Sequence, residues 1–584
     1  MVMHLGTLDM PKEDWPRLAS LIEAALVGRQ SLLDDEQDKP ELAHIATSIA
    51  DSHKAGQAKR ELRKRPGKPR EFTLVDLDSA RTSMTRPLGP TLVGHTFWNR
   101  LGFPRVLESL GFGEKCIAAA EVAIVGKLVC PGSERRIYQW YKDMSPLREL
   151  MGPRRVPRND VYEIADQLIF QAANIEKGLR SISTNLFSAP DSLLLYDLTN
   201  TYIEGSAKFA SALAQRGKSK EKRSDCPLIT LALGIDSCGF VAFSQIYPGN
   251  QSEPETLADV LTKLKAARVE QWGDPDARPT LIMDRGIATT DNVTLIKKQK
   301  YPYIIIERRA LEKQYRDDFA QHKETFDRIF DVSDSPVYVK RIPWGSGSRV
   351  LCISEGRDAK ETAIDTTQEA RFLVAVGKVS TAIEKRTLRD PMKVGERLGR
   401  LKNRFSHMSQ YYTISVSSDE AGTVSGLQLV KKPDREARKD LTGCYVIETS
   451  DPELSASETW HQYMKLTRVE EAFRALKSRL GLRPIFHQHE SRMKAHLFIT
   501  LLAYHILNAI EHTLRQNGDT RNWTTIKRAI STLTRHTLHV DGLGSLRYKL
   551  ELTDTPEPTH KAILQALNVP IPPKPPRTKG GTFW

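Results

Sequence analysis

Three acids in this chain stand where carboxylates could act together. Asp197 ends the short apolar run Ser192-Leu-Leu-Leu-Tyr-Asp197, the form of a buried strand presenting a carboxylate at its C-terminal end. Thr280-Leu-Ile-Met-Asp284-Arg285-Gly286 repeats that design, with glycine letting the chain turn sharply. The third is Glu470, within Tyr463-Met-Lys-Leu-Thr-Arg-Val-Glu470-Glu-Ala-Phe-Arg-Ala-Leu-Lys477, which reads as one helix. Its apolar stripe is Leu466, Val469, Phe473, Leu476 and Leu480. At roughly 100° per residue, Tyr463, Glu470 and Lys477 fall on one line at the edge of that stripe, and Glu471 faces solvent.

Carboxylate and phosphate oxygens suit hard cations such as Mg²⁺. Two such ions, with Mn²⁺ as a substitute, would activate a water or a 3′-hydroxyl and stabilise the leaving oxygen of a displacement at phosphorus. Three acids that repel one another make sense if metal neutralises them. Singly, each has an ordinary alternative: a strand-end Asp is often a turn or cap residue, and a Glu with a Lys two turns on is a common helix surface. The combination is more specific than its parts.

An α/β unit must position them. Strands are predicted at 228–235 and 240–246 around the turn Asp236-Ser-Cys-Gly239, a helix at 255–269 and a further strand at 303–306. The gap between Asp284 and Glu470 far exceeds the roughly 30–40 residues that finishing such a layer needs, so something is inserted. Strand-like runs at 336–342, 348–353, 371–376, 411–417 and 444–448, with a charged helical passage at 381–403, predict a largely β insertion. A strongly apolar helix at 496–514 should pack under the sheet.

Ahead of this lie a short helix at 15–26, a basic arm at 54–70 and a helical region from 94 to 186 able to read a DNA end. The chain closes on a Pro-rich basic tail. The expected division is 1–90 arm, 91–188 helical DNA-binding region, 189–310 first catalytic part, 311–450 insertion, 451–520 second catalytic part and 521–584 C-terminal region.

The formal charge of +14 and pI near 9.3 favour a polyanionic partner, most simply nucleic acid. No uninterrupted apolar run is long enough to span a bilayer and the N-terminus lacks a secretory pattern, so no membrane association is expected. Six scattered cysteines without a C-x-x-C pair fit a reducing cytosol. His487 and His489 lack the Cys partners or H-E-x-x-H spacing of a zinc site.

Tyr463-x2-Leu466-x3-Glu470-x6-Lys477 resembles the Y-x2-R-x3-E-x6-K signature of DDE transposases of insertion-sequence family four and close relatives. Tyr196-Asp197-Leu-Thr199 and Met283-Asp284-Arg285-Gly286 resemble the segments carrying the first two acids, and Tyr247-Pro-Gly-Asn250 a motif between them. Lys218-Ser-Lys220 with Arg223-Ser-Asp225, and Arg483-Pro-Ile-Phe-His487, are similar too; the likeness spans roughly 190–510.

It implies an RNase H-like catalytic domain interrupted by a β-rich insertion. It further implies a cytoplasmic, nucleoid-associated enzyme that binds the terminal inverted repeats of its element as a homodimer, nicks them and joins the 3′-hydroxyl to target DNA. Asp197, Asp284 and Glu470 would bind two Mg²⁺, and Tyr463 and Lys477 would hold DNA phosphates. Leu466 stands at the signature's arginine, so Arg474 or Arg468 would have to supply that charge. Arg285 would touch phosphate or a neighbouring acid, and Lys218, Lys220, Lys222 and Arg223 form a basic loop facing DNA. A metal nuclease that cuts without joining and an inactive DNA-binding derivative are the alternatives.

Overall fold

A computed structural model describes residues 10–27, 40–63, 74–152, 155–187, 193–205, 211–220, 223, 225–272, 278–307, 311–542 and 547–571. The end of the basic arm, Lys222 and the tail beyond residue 571 lie outside them. The chain divides into two compact units, one up to Arg81 with a short stretch from His539, the other from Thr82 to Leu538 with the chain from Lys549. In the first, the helices Trp15–Val27 and Pro40–Arg63 bury Leu18, Ile22, Leu42 and Ala46 against each other.

The second unit is built on a nine-stranded sheet. Its strands are β1 Leu193–Tyr202, β2 Leu228–Ile235, β3 Val241–Pro248, β4 Thr280–Met283, β5 Tyr303–Ile306, β6 Asp327–Phe330, β7 Pro336–Trp344, β8 Gly347–Ser354 and β9 Cys444–Thr449, in the order β3-β2-β1-β4-β5-β9-β8-β7-β6. β1, β2 and β3 form an antiparallel meander, while β4 and β5 continue parallel to β1. This is the RNase H-like arrangement. β9 returns antiparallel between β5 and β8.

The sheet is covered on both sides, and strand parity decides which residues face which cover. Leu193, Leu195, Ile282 and Ile304 enter the core with the helix Glu490–Gln516. Leu194, Tyr196, Leu281, Met283 and Ile305 pack instead with Leu257, Leu261 and Ile296 from the helices Thr256–Trp272 and Thr290–Lys298. Helix Glu490–Gln516 is apolar nearly all round because it lies between the sheet and the helices Glu114–Val129 and Arg158–Phe170. The helical region from Gly89 to Phe187 therefore contributes to the same core as the sheet. Among the described residues, helix Glu490–Gln516 is long and apolar enough to cross a membrane, which the sequence had not suggested; 94% of its apolar window is buried inside the protein, as suits a core helix.

The insertion departs from expectation in two ways. Its strands β6, β7 and β8 extend the same sheet as β1–β5. The run at 371–376, expected as a strand, lies within the helix Glu355–Glu384. Phe372, Val376, Val379 and Ile383 recur at helical spacing and are buried, whereas Val374 is exposed. With the helix Pro391–Arg404 and the hairpin Tyr412–Ser418/Val424–Lys431 they form a core of their own. Beside it, Arg435, 1% exposed, is held by Asp365 and Glu369.

Candidate active site

Asp197 and Asp284 come together through register. Tyr196 pairs with Met283 across the parallel strands β1 and β4, so the next residue on each is one of the two acids. β4 ends at Met283, while β1 continues to Tyr202 against β2; Asp197 is thus in mid-strand, not at a strand end as expected. Both acids share parity with the residues facing helix Glu490–Gln516, and the helix bearing Glu470 covers that same face through Val469, Phe473 and Leu476.

The predicted single helix is three pieces: Ala456–Met464, Thr467–Arg474 and a π turn, Ala475–Arg479. The Thr467 hydroxyl donates to the Met464 carbonyl at 2.8 Å, and bonds over three residues, Leu466 N to Tyr463 O (2.9 Å) and Val469 N to Leu466 O (3.0 Å), tighten the junction. At the far end the Ser478 hydroxyl takes the Arg474 carbonyl, and Leu480 N reaches back five residues to Ala475 O at 3.1 Å. Side-chain hydroxyls competing for main-chain carbonyls are a local cause for both departures.

Asp197, Asp284, Glu470 and Tyr463 line one cavity of about 370 Å³. Leu466 is buried in its wall beside Trp460, as its place on the apolar stripe predicts. The guanidinium groups in this lining are those of Arg285 and Arg357, while Arg468 and Arg474 line a second cavity with Glu471. Neither of the latter lines the acids' cavity. Arg357, on the first turn of helix Glu355–Glu384, lies over the Tyr445 ring at 4.8 Å and pairs with Glu361 at 3.0 Å. Nothing in its local sequence distinguishes it from other charged residues of the insertion.

The electrostatics join the parts. Burial pushes Asp197 up to about 6, with Asp284 and Glu253 adding to the rise and Lys220 opposing it. Burial and the Lys220 cation hold Lys477 down to about 8, with Asp197 opposing. Tyr463 is raised by burial, then by Asp284 and Glu470. The Asp197 carboxylate also accepts the Leu198 N–H at 2.7 Å, and Asp284 accepts the Arg285 N–H at 2.7 Å.

Lys220 bridges to Glu253 at 2.8 Å and donates to the Leu198 carbonyl at 2.9 Å. Glu253, just beyond the Tyr247-Pro-Gly-Asn250 segment, was not foreseen. Lys218 is exposed, its carbonyl accepting from Asn200 at 2.9 Å. Arg223 forks onto Asp225 at 2.9 Å, reaches Glu204 at 3.3 Å and lies over Tyr202.

Gly249 lets the loop carrying Lys218 and Lys220 approach the sheet. A Cβ there would lie 2.1 Å from the Leu228 carbonyl oxygen and 2.5 Å from that of Gln215, both backbone. Gly249→Ala should lower stability by about 1–3 kcal/mol and displace Lys220. Chemical denaturation should show an earlier midpoint; an unchanged midpoint would count against this close fit.

Among the described residues, Glu134, His487 and His496 are the group whose ligand atoms lie within 4.8 Å of one another; the three acids are spaced more widely. Glu134 accepts from or pairs with His487 at 3.0 Å. The buried Lys127, held down to about 8 by burial, is close enough to lift Glu134's charge from isolation and to oppose protonation of His496. That ammonium already supplies positive charge to the cluster.

The family description "Transposase DDE domain" matches residues 188–506, more than half of the chain and all three acids. The chain belongs to the DDE transposase family. No curated protein matches this transposase. Enzymes of the family use divalent metals. The all-oxygen donor set of Asp197, Asp284 and Glu470 suits a hard cation, and burial, with a smaller push from Asp284 and Glu253, raises Asp197, a penalty that such a cation would relieve.

Proposed function

We propose that this transposase binds the inverted-repeat ends of its own element, cuts them with divalent metal, and joins the freed 3′-hydroxyl to target DNA. The observation that carries the proposal is the convergence of Asp197, Asp284 and Glu470 on one cavity from two parallel strands and a helix. In this role the three carboxylates hold Mg²⁺, or Mn²⁺ in its place, and the bound ions supply Lewis-acid activation at phosphorus. Lys477 and Lys220 place cations on the Asp197 side and hold backbone phosphates. Arg285 and Arg357 do the same across the cavity, while Leu466 and Trp460 give it an apolar wall that limits water. Tyr463 positions the phosphate beside Glu470. A homodimer on paired ends is the assembly proposed.

Purified protein incubated with Mg²⁺, duplexes bearing the inverted repeats that flank the gene, and a target plasmid should yield nicked ends and joined products. Nicking without joining of pre-cleaved ends would reduce the enzyme to a nuclease, and no cutting with either metal would end the enzymatic proposal.

A further inference from the structure

The helix carrying Glu470 has a second charged side. Arg468, Glu471 and Arg474 line a cavity of about 260 Å³ distinct from that of the acids, together with Arg479, Arg515 and Arg521. The two acids in its lining are Glu471 and Glu511. Arg468 pairs with Glu471 at 3.1 Å, Arg479 with Glu511, and Arg521 with Asp519 at 2.6 Å. Arg474 and Arg515 have no ion-pair partner among the described residues.

Arg515 is partly buried, and burial, then the like charge of Arg468, hold it below its ordinary value. Gathering guanidinium groups in a partly desolvated recess is unfavourable until an anion joins them. Their planar donor forks match the oxygens of a phosphodiester. An ordinary solvated face would separate these cations or pair each one; here the two unpaired arginines share a concavity with a third whose carboxylate partner is itself exposed.

We propose that this arginine-lined cavity, separate from the one the acids line, binds a backbone phosphate of DNA. The inference rests on the DNA-transposing function proposed above and adds a second point of contact to it. One helix would then touch DNA at two points: through Glu470 at the bond being cut, and through Arg474 at a phosphate elsewhere on the end duplex or on the target. Both sources present the same phosphodiester, read without base sequence.

The test compares full-length wild type with Arg474→Ala/Arg515→Ala, Arg474→Lys/Arg515→Lys and the single charge reversal Arg474→Glu, which alters an exposed side chain and keeps the test open if the double variant fails to fold. Binding to a short random-sequence duplex is measured across a salt series. Loss of this one phosphate contact should reduce the slope of log affinity against log salt by about 1, with the lysine pair close to wild type and the charge reversal weakest. A separate arm measures binding of end duplexes, and another the capture of target plasmid by pre-assembled ends. Weakening of either step supports the site and assigns its DNA. Wild-type slope and affinity in folded Arg474→Glu, with both steps unchanged, would overturn it while leaving the proposed reaction intact. A wild-type protein that binds no duplex at all would overturn both.

Discussion

Asp197→Asn is expected to abolish DNA cutting and yet make the metal-free protein more stable at neutral pH. Asp197 is pushed up to about 6 in the fold, chiefly by burial and then by Asp284 and Glu253, against an ordinary value near 4. The native state therefore holds this proton more tightly than the unfolded chain does. Stability falls as pH rises through the window from about 4 to about 6, and above it the full penalty is present, of order 2–3 kcal/mol. Asparagine carries no charge to desolvate or repel. Melting curves without metal should show the variant above wild type at neutral pH, with the difference closing below about pH 4.

Divalent ions should reverse the ranking, because a ligand that binds only the folded carboxylate form stabilises wild type and not the variant. The same proton competes with the ion, so wild-type cutting should decline as pH falls through about 6. A variant that melts at or below the wild-type temperature in neutral, metal-free buffer would show that Asp197 is not strained by its surroundings.

The second large effect separates two neighbours. Glu470→Gln should reduce cutting by roughly a hundredfold or more, since loss of a direct metal ligand should exceed the 10–100-fold cost of losing a supporting one. Glu471→Gln should change cutting by no more than about twofold. Its carboxylate is on the other cavity, in a half-exposed pair with Arg468 at 3.1 Å, and such pairs are worth about 0–1 kcal/mol. Initial cutting rates with saturating metal decide the matter, and equal losses in both variants would refute the assignment of the third acid.

Much of this site was legible because short-range rules governed it. The apolar runs before Asp197 and Asp284 are strands at the sheet's centre, and the turn ending at Gly239, with φ of 89°, joins β2 to β3. The stripe through Leu466, Val469 and Phe473 placed Glu470 toward the acids and Glu471 away from them. What escaped depended on tertiary partners. Hydrophobic pattern marks β7 and β8 as strands, but which edge they extend is decided by pairing across long loops. Residues 371–376 contain the β-favouring Phe372, Val374 and Val376, yet the longer register through Val379 and Ile383 makes them helical. That Arg468 and Arg474 line a cavity of their own depends on residues brought in by the helix Glu490–Gln516 and the segment after it, which helix periodicity does not show. Arg357 and Glu253 arrive from elements with no catalytic pattern of their own.

The sheet's strand order also has a consequence for synthesis. Asp197 and Asp284 are translated long before Glu470, and β9, which leads into the Glu470 segment, must be threaded between β5 and β8. A polypeptide truncated anywhere within that excursion holds two of the acids and lacks the third, so a prematurely terminated product cannot complete the cutting centre proposed above.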